Sequence, residues 1–227
     1  MVRFLVMAWK IVRNKLSKNI KEREILLNYL ERENYLRTPQ VRKAMEEVDR
    51  RDFVRTSDKL SAYDDTPLSI GQGQTISAPH MVAMMLEELR LNENDNLLEI
   101  GSGCGYHAAV ASRLVSKVTT IERIPYIYEL ACENLESYDN IKIINGDGSR
   151  GFMDNCPYQK IMVTCGAPRV PPPLIDQLEI GGLMVIPVGG RVVQELLTVE
   201  RTTDGISVIR RPGVAFVPMI GVNAFDT

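Results

Sequence analysis

The chain has 227 residues, 44% of them hydrophobic, which is enough to bury one sizeable core with a small extension. Its 27 basic residues against 29 acidic ones leave a net charge of −2, whereas a protein living on nucleic acid carries a basic excess. Cys104, Cys132, Cys156 and Cys165 lack the paired spacing of a zinc site, so no metal is expected and they read as reduced thiols of a cytoplasmic protein.

The apolar start, Met1 to Trp9, contains Arg3 and is followed by no small-residue cleavage site. No apolar run approaches the ~20 residues of a membrane span, so no membrane partner is expected. Lys10 to Arg23 is rich in Lys and Arg. It reads as a solvated helix face, with Phe4, Leu5, Trp9 and Val12 turned to the domain; a membrane-surface helix is the alternative.

Glu22 to Asn34 places Ile25, Leu26, Tyr29 and Leu30 at helical spacing. Thr38-Pro39 caps a second helix whose apolar face is Val41, Ala44, Met45 and Val48. Tyr63 to Pro79, with Gly71 and Gly73, reads as an ordered loop, and loops of that length in a compact domain are mostly functional. A helix follows from Pro79 to Leu89. Strand and helix then alternate: strands at Leu97 to Ile100, Val118 to Glu122, Ile141 to Ile144, Lys160 to Thr164 and Leu183 to Val188. Helices lie between them at Tyr106 to Val115, Pro125 to Leu135 and Pro172 to Leu178. Such alternation predicts an α/β, doubly wound, mostly parallel sheet covered on both faces. Val192 to Glu200 and Ile206 to Ile209 flank Asp204-Gly205 and predict an antiparallel hairpin at the C-terminal end.

The first strand runs into Gly101-Ser102-Gly103-Cys104-Gly105-Tyr106, and such loops at strand ends bind cofactors in open sheets. A plain glycine turn is the bland alternative. A dinucleotide loop wants Gly or Ala at the sixth position, where Tyr106 stands. Glu99, just before the loop, is expected to point into the crevice, where it repels a pyrophosphate and suits a cationic ammonium and sulfonium. Glu122 ends the second strand, where a carboxylate accepts from ribose hydroxyls. Asp147 in Gly146-Asp147-Gly148 can take an adenine amino group, or can be a simple tight turn. Order and spacing together favour S-adenosylmethionine as the cofactor.

Asp65-Thr66-Pro67-Leu68-Ser69-Ile70-Gly71-Gln72-Gly73-Gln74-Thr75-Ile76-Ser77-Ala78-Pro79-His80-Met81 resembles the substrate-side loop of protein-L-isoaspartate O-methyltransferases. The likeness continues in Leu98 to Tyr106, Thr120 to Arg123, Gly146 to Gly148, Val163 to Pro168, Val185 to Gly189 and Phe216 to Met219, covering about Tyr35 to Val222. It implies the Rossmann-like methyltransferase fold, with 1–62 a helical extension, 63–80 the substrate loop and 81–227 the cofactor-binding core. By that resemblance Ile70, Gly71, Gln72, Gly73 and Glu99 line the cofactor site, with the glycine loop at Gly101, Gly103 and Gly105. Glu122 and Arg123 flank the ribose, and Asp147 with Gly148 the adenine. Ser77 matches the active-site serine. Cys165 and Gly166 depart from it, standing where alanines are common.

The implied reaction methylates the free carboxylate of L-isoaspartyl residues, with D-aspartyl residues a further substrate class, and S-adenosyl-L-homocysteine as product. A carboxyl group is already ionised at neutral pH, so no general base is needed and His80 and His107 read as structural. Ser77, with Thr75, is expected to hold the substrate carboxylate; its bland role is the N-cap of the helix at Pro79. The expected partners are isoaspartyl peptides and proteins, not nucleic acid, and the chain is expected to act as a monomer. A base-methylating enzyme is the rival, but Thr164 to Pro168 offers no aromatic ring to stack a base. A non-catalytic binding module is the second rival, and the loop from Asp65 to Met81 looks too complete for it.

Overall fold

The computed structural model describes residues 20–225, so the readings of Met1 to Trp9 and of most of Lys10 to Arg23 lie outside the described residues. The first helix, α1, covers 20–32. Its buried stripe is Leu26, Leu27 and Leu30, whereas Ile25, expected on that face, is 60% exposed. The difference is one of phase: Leu26, Leu27 and Leu30 already fill the i, i+1, i+4 positions of one face, and Ile25 falls outside it. The second helix, α2 (Pro39–Glu47), starts as expected, with Thr38 Oγ1 accepting from the Val41 N–H and proline in the first turn. It buries Val41, Ala44 and Met45, and Val48 just after it is also buried.

The segment expected to be a loop contains a hairpin, β1 (Leu68–Gly71) paired antiparallel with β2 (Gln74–Ile76). Gln72 and Gly73 form its tip at φ +52° and +71°. Two left-handed residues in succession make the turn whose twist matches a hairpin, and glycine makes the second of them cheap. Ile70 and Ile76 are buried. After Pro79 the helix α3 (Pro79–Leu89) brings Met85, Leu86 and Leu89 to full burial, each worth roughly 1.5–3 kcal/mol of transfer energy before entropy is charged.

The main sheet uses β3 (Asn96–Ile100), β4 (Lys117–Glu122), β5 (Ile141–Asn145), β6 (Tyr158–Val163), β7 (Leu178–Gly189), β8 (Gln194–Thr202) and β9 (Gly205–Val214), in the order β5-β4-β3-β6-β7-β8-β9. The pairs from β5 to β7 are parallel, and β7-β8 and β8-β9 are antiparallel. This is the expected mostly parallel sheet with an antiparallel C-terminal end. Three helices interleave the strands: α4 (Tyr106–Ala111), α5 (Pro125–Leu135) and α6 (Pro172–Gln177). The α4 helix is shorter than expected, because the chain tightens into three-residue turns after Ala111 and Ser112 Oγ donates back to the Ala109 carbonyl. Val192 and Val193 lie outside β8 and are exposed.

Strand residues alternate between two apolar layers. Leu97, Val118, Met162 and Val185 join the layer beneath α1 to α4, while Leu98, Ile121, Ile161 and Met184 join the layer beneath α6. A sheet covered on both faces exposes function only at its strand ends. Among the described residues, no helix is long and apolar enough to cross a membrane.

Candidate active site

The strand order reverses direction at β3, whose two neighbours are β4 on one side and β6 on the other. Loops leaving adjacent strands in opposite directions open a crevice at their carboxyl ends. A cleft enclosing about 870 Å³, counting the part open to solvent, lies there. Its walls are Gly101 to Gly103 after β3, Glu122 and Arg123 after β4, Gly148 and Ser149 after β5, and Thr164 and Cys165 after β6. Thr75 and Ser77 close it from the hairpin side, and Val217 to Ile220 from the C-terminal segment.

Glu122 is nearly buried, and its two carboxylate oxygens accept from backbone amides, Oε2 from Gly103 at 3.1 Å and Oε1 from Ile124 at 2.9 Å. Burial raises its pKa, and the amide bonds oppose the rise. Ser102 lines the cleft, and its hydroxyl is buried and without a partner among the described residues. A buried unpartnered hydroxyl costs roughly 1–3 kcal/mol, which a polar ligand would recover.

A second cavity, enclosing about 710 Å³, adjoins the first. Thr75, Ser77, Thr164 and Val217 line both, so three hydroxyl-bearing residues stand on the partition, Thr75 in the hairpin and Ser77 just after it. Pro67, Ala78, His80, Met81 and the stretch from Gly213 to Phe216 form the rest of the second wall. The His80 ring is tied down, Nδ1 lying 2.9 Å from Asp65 Oδ1, which also accepts the His80 backbone N–H at 2.8 Å. His107 is buried, and burial lowers its pKa to about 4, so it stays neutral at neutral pH.

Comparison with known proteins decides the family. The profile for "Protein-L-isoaspartate(D-aspartate) O-methyltransferase (PCMT)" matches residues 21–224. The chain belongs to this family. It is 49% identical over 207 residues to the protein-L-isoaspartate O-methyltransferase of Methanothermobacter thermautotrophicus, covering 88% of this chain and 95% of the relative. It is 48% identical to that of Methanopyrus kandleri, covering 91% and 94% of the two chains. A Plasmodium falciparum structure described as such an enzyme, in complex with S-adenosyl-L-homocysteine, matches at TM-score 0.76 and 27% identity, over 86% of this chain and 96% of that one. A further protein-L-isoaspartate O-methyltransferase structure matches at TM-score 0.81 and 30% identity, over 89% and 67% of the two chains.

Of the residues singled out by sequence, the fold brings Thr75, Ser77, Gly101, Gly103, Glu122, Arg123 and Gly148 to the cleft. The others stand off. Glu99 does not point into the crevice; it is fully buried, with Oε2 accepting from Thr120 Oγ1 at 2.5 Å and Oε1 unpartnered. The alternation of β3 aims it into the sheet layer beneath the loop rather than past the strand end. Asp147 is not in the cleft wall, and its carboxylate accepts from Ser149 through Oδ1 and from the Val222 N–H through Oδ2. Gly105 caps α4 at φ +91°, where a Cβ would lie 2.8 Å from Leu135 Cδ1, so its smallness serves the packing of α4 against α5.

Ile70 packs behind the glycine loop, its Cδ1 3.6 Å from where a Cβ of Gly103 would stand. Gly71 sits against the Tyr126 ring, and Gln72 and Gly73 form the exposed hairpin tip. Met219 lies in the family-like segment from Phe216 but is given no role by sequence, and Ser149, next to Gly148, Ile220 and Arg50 are not singled out there, the charge of Arg50 giving no hint of burial.

Proposed function

We infer that the chain transfers the methyl group of S-adenosyl-L-methionine to the free carboxylate of L-isoaspartyl residues in damaged proteins and peptides, the step that initiates their repair. The observation that carries the local assignment is that Ser77 and Thr75, both hydroxyl-bearing, line both cavities. The cleft beside β3 takes the cofactor, and the cavity beside His80 and Phe216 takes the peptide.

The donor set fits the cofactor. Gly101 and Gly103 allow its close approach, Ser102 offers an unpartnered buried hydroxyl, Glu122 and Arg123 flank the ribose, and Gly148 with Asp147 the adenine. Ile70, Gly71, Gln72 and Gly73 support the loop from the hairpin side, and Glu99 and Gly105 support it from beneath. When bound, the cofactor supplies an electrophilic methyl on a sulfonium.

The chain itself supplies alignment and a dry site. A carboxylate leaving water needs donors, or its desolvation opposes binding. The Ser77 hydroxyl, assisted by that of Thr75, holds one carboxylate oxygen and leaves the other free to attack. With a reference pKa near 4 the substrate carboxyl is already ionised at neutral pH, so Ser77 moves no proton. The methyl ester then closes to a succinimide by chemistry intrinsic to the peptide: the neighbouring main-chain amide nitrogen attacks the ester carbonyl and methanol leaves with the amide proton. Discrimination against normal aspartate rests on main-chain length, since the isoaspartyl linkage carries one extra methylene. D-aspartyl residues are a second substrate to test, and the working unit is a monomer in the cytoplasm.

The product distinguishes this reading from other methyl transfers. Mass spectrometry of an isoaspartyl peptide after incubation should show one added methyl, lost as methanol in mild alkali. An alkali-stable methyl on the peptide would contradict carboxylate methylation.

A further inference from the structure

Arg50 has no exposed surface and is the largest fully buried side chain among the described residues. Its guanidinium donates to three main-chain carbonyls: Nη1 to Ala62 at 2.6 Å, Nη2 to Ser77 at 2.8 Å and to Thr66 at 3.2 Å. Carbonyl oxygens accept all three of these hydrogen bonds, the Tyr106 ring lies 5.9 Å away, and Asp65 acts on the guanidinium only through its field. Nε is left unpartnered. Burial lowers the pKa of the guanidinium from its ordinary value.

A buried cation without a touching carboxylate is costly, and simple loop stitching could be done by a neutral amide. What only arginine offers is a rigid planar fork with five donors, able to fix several carbonyls relative to one another. The carbonyls it joins come from both ends of the segment that holds the hairpin, Ala62 and Thr66 before β1 and Ser77 after β2. Ser77 is thus held at its own carbonyl. Three residues on, His80 is clamped separately by Asp65.

We infer that Arg50 is a positioning residue of the methyl transfer: by fixing the Ser77 carbonyl against Ala62 and Thr66, it sets where the Ser77 hydroxyl stands between the two cavities. This rests on the reading that Ser77 holds the substrate carboxylate. Arg50 lines neither cavity itself and reaches the wall residue Ser77 only at its main-chain carbonyl. Misplacement of an aligning group by about an ångström costs up to about a hundredfold in turnover, so a small shift of this segment suffices.

The test is a cycle of Arg50→Lys, Ser77→Ala and the double variant, with Arg50→Gln made alongside in case the lysine variant does not fold. Folding is checked by circular dichroism, S-adenosylhomocysteine affinity by calorimetry, and kcat and KM with an isoaspartyl peptide. Arg50→Lys or Arg50→Gln should lower kcat about tenfold or more while product affinity stays within about twofold. In the Ser77→Ala background the same change should cost no more than about twofold further, because residues acting as one unit do not add. Unchanged kcat in a folded Arg50 variant, or a loss that multiplies fully on the Ser77→Ala background, overturns the inference. An equal loss of product affinity, the mark of general destabilisation, overturns it as well. Ser77→Ala with wild-type kcat would instead sink the reading of Ser77, and is seen in that single variant alone.

Discussion

Glu122 Oε2 accepts the backbone N–H of Gly103 at 3.1 Å, so the carboxylate that ends β4 braces the glycine loop that follows β3. One residue therefore links the two strand ends between which the cofactor cleft opens.

Removing that carboxylate should weaken cofactor binding on two counts, the lost brace and the lost ribose acceptors. Hydrogen bonds to a charged group are worth about 1.5–3 kcal/mol each. Glu122→Ala should raise the dissociation constant for S-adenosylhomocysteine about tenfold to a hundredfold, and Glu122→Gln by less. Calorimetric titration of the two variants checks this, and wild-type affinity in the alanine variant would remove Glu122 from the site.

Ser77→Ala should separate chemistry from binding. The hydroxyl is proposed to meet the substrate carboxylate, so turnover should fall about tenfold to a hundredfold, a loss of about 1.4–2.7 kcal/mol of transition-state stabilisation. Affinity for S-adenosylhomocysteine should stay within about twofold. Steady-state kinetics beside calorimetry decide it, and a variant as fast as wild type excludes Ser77 from the reaction.

The outline of the fold was legible because its signals are local. Pro39, Pro79, Pro125 and Pro172 each open a helix where the sequence places one, and the five parallel strands contain apolar runs closed at or just after their ends by Gly, Asn, Thr or Glu. The β1-β2 hairpin reads as loop in the sequence, although Leu68, Ile70 and Ile76 alternate around Gln72-Gly73, because Gly71, Gly73, Pro67 and Pro79 mask the period. At the site, residues in the strand-end loops were found from motif alone. The directions of Glu99 and Asp147 were not, because the pleat of β3 decides the first and a contact with Val222, far along the chain, decides the second.

Glu99 gives a pH-dependent stability. Burial raises its pKa to about 8, the Thr120 hydroxyl opposing and the charge of Glu122 adding to the rise. The folded protein then holds a proton that the unfolded chain releases above about pH 4.3. Its stabilising effect is complete below that value and is lost as pH rises toward about 8. Glu99→Gln mimics the protonated form, so its Tm should gain on wild type steadily between pH 5 and pH 8, a window set by that shifted value and the reference one. Parallel Tm profiles for the two proteins would contradict a protonated Glu99.

The C-terminal segment should matter for the cofactor. Val222 N–H donates to Asp147 Oδ2 at 2.9 Å and Asn223 N–H to Ser149 Oγ at 3.1 Å, which docks Met219 and Ile220 as cleft wall. The contact needs a glycine at 221, since a Cβ there would collide with Asp147 Oδ1 and lie 2.6 Å from Ser149 Oγ. Gly221→Val should lift the segment and weaken S-adenosylhomocysteine binding about fivefold or more, given roughly 1 kcal/mol for each neutral hydrogen bond lost. Unaltered affinity would show that the segment is no part of the site.

The central claim is carboxylate methylation selective for the isoaspartyl linkage. The most direct measurement is transfer of label from S-adenosylmethionine to two peptides identical except that one carries isoaspartate and the other aspartate. The account predicts base-labile label on the isoaspartyl peptide and none above background on its partner. Equal labelling of both, or label on neither with cofactor binding intact, would contradict it.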